Sequence, residues 1–189
     1  MKAQGIDFGH YTHWKRSASI KPIDFAIFGF GYGAGKNGSW DINKPECKKE
    51  DRRILYSFYN HAVPWRDQAD FIIKECNSVN AHAFGLDWEN QGLHHFRPDL
   101  DWRRQTKDCK KILERVRDKI KGKVGVYANK GDYYCLAQTQ DVTEFFLWCA
   151  DPDNYPDDHP WSDVWWHRSG REKYDYVFDQ YSWTAHAPD

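Results

Sequence analysis

The chain has 189 residues, enough for one domain with a sizeable core, and 28 acidic against 27 basic side chains leave a net charge of −1. That balance gives no footprint for nucleic acid or an anionic membrane, and no run of about 18 apolar residues is present to span a bilayer. Aromatic residues make up 17% of the chain although its mean hydropathy is −0.89, so flat amphipathic rings stand in an otherwise polar sequence. Such rings fill a core or line a groove for a ligand with apolar faces and many hydroxyls.

The opening MKAQGIDFGHY lacks the apolar core of a secretory signal, so the chain is expected to be made in the cytoplasm without one. Its first strand is GIDF, residues 5–8, followed by FAIFGFG at 25–31 and ILYSFY at 54–59. The end of the second strand runs into GFGYGAGKNG. It has the glycines and Lys36 of a phosphate loop, but Asn37 stands where Ser or Thr is required, so it reads as a turn. PWRDQADFIIKECNSV, 64–79, opens on Pro64 and carries an apolar stripe of Ala69, Ile72, Ile73 and Cys76, a helix with one buried face.

Next comes AFGLDWE at 83–89, where an apolar strand runs into two carboxylates. Residues i and i+2 of a strand share a face about 6.6–6.8 Å apart, so Asp87 and Glu89 project together and Trp88 points away. Like charges side by side disfavour joint ionisation, which predicts that one of the pair keeps its proton near neutral pH. A second helix covers DWRRQTKDCKKILERVRDKIKG, with Cys109, Ile112, Leu113, Val116 and Ile120 at helical spacing and Gly122 at the expected C-cap. VGVYA (124–128), FFLWCA (145–150) and YVFDQYSW (176–183) complete the strands, and helices become poor after about residue 138.

Several strands are continuous apolar runs, as expected when both faces are covered. Strand alternating with helix over one domain, 1–189, predicts α/β architecture: a single irregular, flattened β/α barrel with fewer than eight helices, TIM-barrel-like. In such a barrel the strand C-termini form the functional mouth. Asp7, Tyr56, Asp87, Glu89, Tyr127, Trp148, Gln180 and Tyr181 all fall on or beside these strands.

Other chemistries find less support. The five cysteines form no C-x-x-C pair, which argues against a disulfide framework or structural zinc and for reduced, buried thiols. His94-His95 and DPDNYPDDH are weak metal candidates, because adjacent histidines diverge in extended chain and acidic loops are usually solvated. No metal or other cofactor is expected. His10 and His13 stand near Asp7 in sequence as groove-wall or tuning residues, and no G-x-S-x-G elbow is present.

The ordered set GIDFGHY, FAIFGFGYG, WRDQADFI, GLDWEN, GVYANKGDY, FLWCAD and DQYSW resembles the ch-type lysozymes, glycoside hydrolase family 25, from residue 5 to about 183. The resemblance implies a flattened barrel that cleaves the β-1,4 bond between N-acetylmuramic acid and N-acetylglucosamine in peptidoglycan. It implies Glu89 as proton donor, Asp87 as the carboxylate assisting the transition state, and Asp7 as the first-strand acid. Tyr56, Tyr127, Trp148, Gln180 and Tyr181 are implied as substrate-groove positions. The chain departs from the family pattern in three places. DFGHYTHW replaces the usual Ser and Gln after the first-strand acid, Asp179 stands for Trp before Gln180-Tyr181, and only Asp189 offers a match to a later D-x-N acid.

The expected partner is therefore a peptidoglycan glycan strand, with no nucleic acid and no membrane insertion. A monomer is expected, acting on the bacterial wall in the manner of a phage or prophage lysin. The rival expectation, kept open by the missing D-x-N acid, is a degenerate barrel that binds peptidoglycan without cutting it.

Overall fold

The computed structural model describes residues 5–8, 25–89, 101–150 and 176–180. Eight strands and four helices lie among them. The strands are β1 (Gly5–Phe8), β2 (Phe25–Tyr32), β3 (Gly35–Lys36), β4 (Arg53–Phe58), β5 (Ala83–Asp87), β6 (Lys123–Asn129), β7 (Phe146–Ala150) and β8 (Tyr176–Gln180). The helices are α1 (Trp40–Cys47), α2 (Trp65–Val79), α3 (Trp102–Arg117) and α4 (Lys130–Thr139).

All form one sheet in the order β1-β2-β4-β5-β6-β7-β8, every neighbouring pair parallel, with β3 antiparallel on β2. Parallel neighbours need a crossover, and α1, α2, α3 and α4 supply four of them. The architecture is thus α/β with a mostly parallel sheet; among the described residues no ladder joins β1 to β8.

Strict alternation sorts the strand side chains into two cores. Phe28, Phe30, Leu55, Phe84, Leu86, Val124, Val126 and Leu147 face the helices, where Ala69, Ile72, Cys76, Cys109, Ile112, Leu113 and Val116 meet them. Ile27, Ile54, Tyr56, Ala83, Tyr127, Phe146 and Trp148 build a second cluster on the opposite face. The strands are therefore covered on both faces, as their continuous apolar runs predict. Cys47, Cys76 and Cys109 are buried free thiols.

On the second face large rings lie over glycines. Gly29, Tyr56, Gly85, Gly125 and Phe146 share one rung across β2, β4, β5, β6 and β7. A Cβ on Gly29 would fall 2.6 Å from the Tyr56 ring, and one on Gly125 would strike the Phe146 ring. The missing side chains leave the volume those rings fill.

Several boundaries differ from expectation. β5 ends at Asp87, although the Trp88 N–H still donates to the Tyr127 carbonyl at 2.8 Å. Pro64 is the N-cap of α2 and does not lie inside it, while Asn80, at φ 52°, closes the helix in the left-handed conformation. α3 stops at Arg117, five residues before Gly122, which is no cap: a Cβ there would meet the Ala81 carbonyl at 2.5 Å, so this glycine permits a close approach of two loops. GFGYGAGKNG is a hairpin, turning at Gly33 (φ 61°), and Lys36 binds Asp41 at 2.6 Å. The unforeseen α1 contains Pro45, which removes a helical donor. Tertiary contacts hold this short helix instead, through buried Trp40, Asn43 and Cys47.

Candidate active site

The carboxylate pair grows out of β5 by simple alternation. Asp87 ends the strand on the face that carries Ala83, while Trp88 turns to the helix-side core, where its ring lies 4.7 Å from that of Tyr59. Glu89, two residues past the end of β5, receives a hydrogen bond from Tyr127, a member of the second cluster. The backbone fixes this end of β5 from both sides: the Tyr59 N–H donates to the Asp87 carbonyl at 2.9 Å, and Trp88 to Tyr127 as above.

Register places the aromatic partners. Phe58, Asp87, Tyr127 and Trp148 occupy one rung across β4 to β7, and in a parallel ladder residues on one rung share a face. Trp148 lies edge-on to Tyr127 at 4.8 Å and to Tyr56 at 5.7 Å, between the two phenols. All three rings are at most 6% exposed and Asp87 is 2% exposed. They form a dry wall beside the acids.

Glu89 is half-buried, and its Oε1 is shut away from solvent with no hydrogen-bond partner among the described residues. Burial raises its pKa above the ordinary carboxylate range, the charge of Asp132 raises it further, and the Tyr127 hydrogen bond pulls it back. The sequence pattern predicts Asp87 as the like charge. Instead, Glu89 lies beyond the last regular residue of β5, and the neighbour that acts on it comes from the next βα connection. Asp132 sits in the first turn of α4, 4% exposed, just after β6 delivers Tyr127. Strand-by-strand reading misses this residue; an acid opening a helix directly after a strand's C-terminal end, in YANKGDY, is the signal that marks it.

The remaining candidates are placed by backbone alone or not at all. Asp7 pairs in register with Ile27, on the rung that continues through Ile54 to Ala83, four residues before Asp87 along β5. Gln180 ends β8 opposite Ala150. Tyr181, Asp189, His10, His13, His94, His95 and the DPDNYPDDH run lie outside the described residues. Among the described residues no group of three His, Cys, Asp or Glu is arranged to hold a metal ion, and no helix is long and apolar enough to cross a membrane.

No family model and no curated protein matches this sequence. Solved structures do match the fold. The chain is similar to a family 25 glycosyl hydrolase from Bacillus anthracis (TM-score 0.67, 18% identity), covering 96% of this chain and 79% of that one. It is similar to the modular autolysin LytC from Streptococcus pneumoniae, solved in complex with a synthetic peptidoglycan ligand (TM-score 0.67, 16% identity), covering 97% of this chain and 43% of that one. A muramidase from Trichobolus zukalii aligns with TM-score 0.63 and 16% identity over 84% of this chain and 82% of that one. At these identities the likeness is one of architecture, and the architecture of this chain is that of the family 25 glycosyl hydrolases and muramidases.

Proposed function

We propose that this chain is a peptidoglycan hydrolase of the N-acetylmuramidase type, a single β/α barrel cutting the β-1,4 bond between N-acetylmuramic acid and N-acetylglucosamine. The observation that carries the reading is Glu89: a carboxyl whose pKa is raised by burial and by the charge of Asp132, with one enclosed oxygen, two residues beyond Asp87 at the end of β5. Cleavage of a glycosidic bond passes through an oxocarbenium-like state and needs an acid to protonate the departing oxygen. Glu89 supplies that proton, and its raised pKa keeps it loaded nearer neutral pH than an ordinary glutamate.

Asp87 stabilises positive charge at the anomeric carbon or orients the acetamido group that attacks it, a route that needs no enzyme nucleophile. Asp7 is the third acid of the site. Tyr127 positions Glu89, and Tyr56, Trp148, Gln180 and Tyr181 belong to the groove. The wall ligand of the similar autolysin supports a glycan substrate, and a wall lysin of phage or prophage type, working as a monomer, fits the reading.

The test is reducing-end release from purified peptidoglycan by the parent chain and by Glu89→Gln, which preserves shape and removes the acid proton. A loss of at least about 100-fold is expected, the scale of general acid catalysis. Wall binding without turnover by the parent would replace this reading with that of a glycan-binding barrel.

A further inference from the structure

Residues 102–123 carry ten Lys and Arg against three Asp and Glu, a concentration that the whole-chain charge of −1 conceals. Arg103, Lys107, Lys111, Arg115 and Lys119 recur at every fourth position along α3 and just past its end. Neighbours four apart on a helix stand about 6 Å from one another, so the row from Arg103 to Arg115 runs roughly 18 Å.

This row borders a trough. Two hollows of about 590 and 240 Å³ adjoin at Lys111 and Trp65, the first residue of α2, the first taking in Arg103, Lys107 and Lys111, the second Lys111, Arg115 and Lys119. Trp65 is in the wall of both, with the Lys111 ammonium 5.4 Å from its ring. Asp108 binds Lys111 at 3.1 Å and Asp70 binds Arg115 at 2.6 Å, whereas Arg103, Lys107 and Lys119 make no ion pair among the described residues. α2 follows β4 and α3 follows β5, the strand that ends at Asp87.

We propose that the trough binds a linear wall polymer with one phosphodiester in each short repeat, an inference that rests on the wall-hydrolase reading above. Charge spacing selects the partner. A sparse line of cations, Arg103 and Lys107 about 6 Å apart and Lys119 at the far end, with Lys111 and Arg115 between them shared with acids, suits a thin chain with one negative charge per repeat, whereas duplex DNA presents a charge every ~1.7 Å over a broad surface. Single-stranded nucleic acid is bound through aromatic faces on which bases stack, and the Trp65 ring is already flanked by Arg66 and Lys111. The acids Asp70, Asp108, Glu114 and Asp118 flank the cations and oppose a wide polyanion or a flat anionic membrane.

The experiment measures binding of the full chain to soluble poly(glycerol phosphate), and to walls before and after chemical removal of their phosphodiester polymers. The parent is compared with the triple variant Arg103→Gln, Lys107→Gln, Lys119→Gln. The parent should bind the polymer, and the variant should bind it about tenfold more weakly. The slope of log affinity against log salt should fall by about 2, on the basis of ~0.7 for each phosphate that a cation no longer neutralises. Stripped walls should bind both proteins alike and be cut alike. The inference is overturned if the parent ignores the polymer, if the variant loses as much on stripped walls, or if single-stranded DNA or anionic vesicles outcompete the polymer. Polymer binding is read without hydrolysis, so a chain that binds it yet cuts no wall would sink the muramidase reading and leave the trough standing.

Discussion

Asp132, from the first turn of α4, is the carboxylate whose charge adds to burial in raising the pKa of Glu89. The two residues are 43 positions apart in sequence, and only the pairing of β5 with β6 brings their strand ends together. Tyr127, on β6, acts in the opposite sense by donating a hydrogen bond to the ionised form. β6 and the helix that follows it therefore hold both a residue that keeps the proton on Glu89 and one that helps release it.

This opposition gives a signed prediction for the pH dependence. A general acid works while protonated, so activity is lost as pH rises through its pKa. Asp132→Asn removes a raising influence and should move the alkaline limb of the pH–rate profile to lower pH; Tyr127→Phe removes a lowering influence and should move it to higher pH. The same raised pKa disfavours the folded state once Glu89 must ionise, because the native chain then binds more protons than the unfolded one. Glu89→Gln should accordingly stabilise the fold above the ordinary glutamate range and leave it little changed at acid pH. Rate profiles and melting curves from pH 4 to 8 check both points, and limbs that shift the same way in the two variants would rule out this account of Glu89.

The fold was legible wherever burial imposed a period. Ala69, Ile72 and Cys76 on α2, and Cys109, Ile112, Leu113 and Val116 on α3, are the buried helical faces that their spacing predicts, and the seven parallel strands fall within one or two residues of their apolar runs at most ends. α1 was hidden because Pro45 reads as a break and only tertiary contacts outweigh it. Gly122 misled because a glycine after a helical stripe looks the same whether it caps the helix or admits a neighbouring backbone. In the site, Asp87 and Glu89 were visible as a local pattern. Asp132 was not, since its influence depends on strand pairing, which one strand's sequence does not contain.

The rings over glycines make a second prediction, about packing. Gly125 and Gly85 are rung neighbours on β6 and β5. A Cβ at Gly125 would strike the Phe146 ring and its backbone carbonyl, whereas one at Gly85 would meet the Trp148 ring at 3.4 Å, the edge of ordinary van der Waals separation. Overpacking a filled core costs about 1–3 kcal/mol. Gly125→Ala should fall in or above that range and Gly85→Ala near its lower end, as read from denaturant midpoints. Equal losses at the two sites would show that the rings move freely and that this face is not tightly packed.

The third prediction concerns Glu75, a carboxylate 1% exposed on α2 that ties α1 to α2. Its Oε2 accepts from the Trp40 indole N–H at 2.8 Å and from the Lys44 ammonium at 2.7 Å. Burial alone would raise its pKa, but these two donors, together with the charges of Lys44 and Lys36, outweigh that effect and the net shift is downward. A carboxylate with a depressed folded pKa contributes stability that is present above its ordinary value of 4.5 and lost as pH falls through the folded pKa. Glu75→Gln keeps an acceptor for one donor and removes the charge both of them answer. It should cost about 1.5–3 kcal/mol at pH 7, the range for hydrogen bonds to a charged group. The deficit should shrink as the parent is taken to low pH, where Glu75 becomes neutral as well. Because α1 contains Pro45 and leans on Trp40, its amide protons should lose protection before those of α2 and α3. Hydrogen exchange of parent and variant at about pH 7 and about pH 3.5, either side of the ordinary carboxylate range, tests this. A deficit independent of pH would mean that shape at Glu75, and not its charge, holds α1 in place.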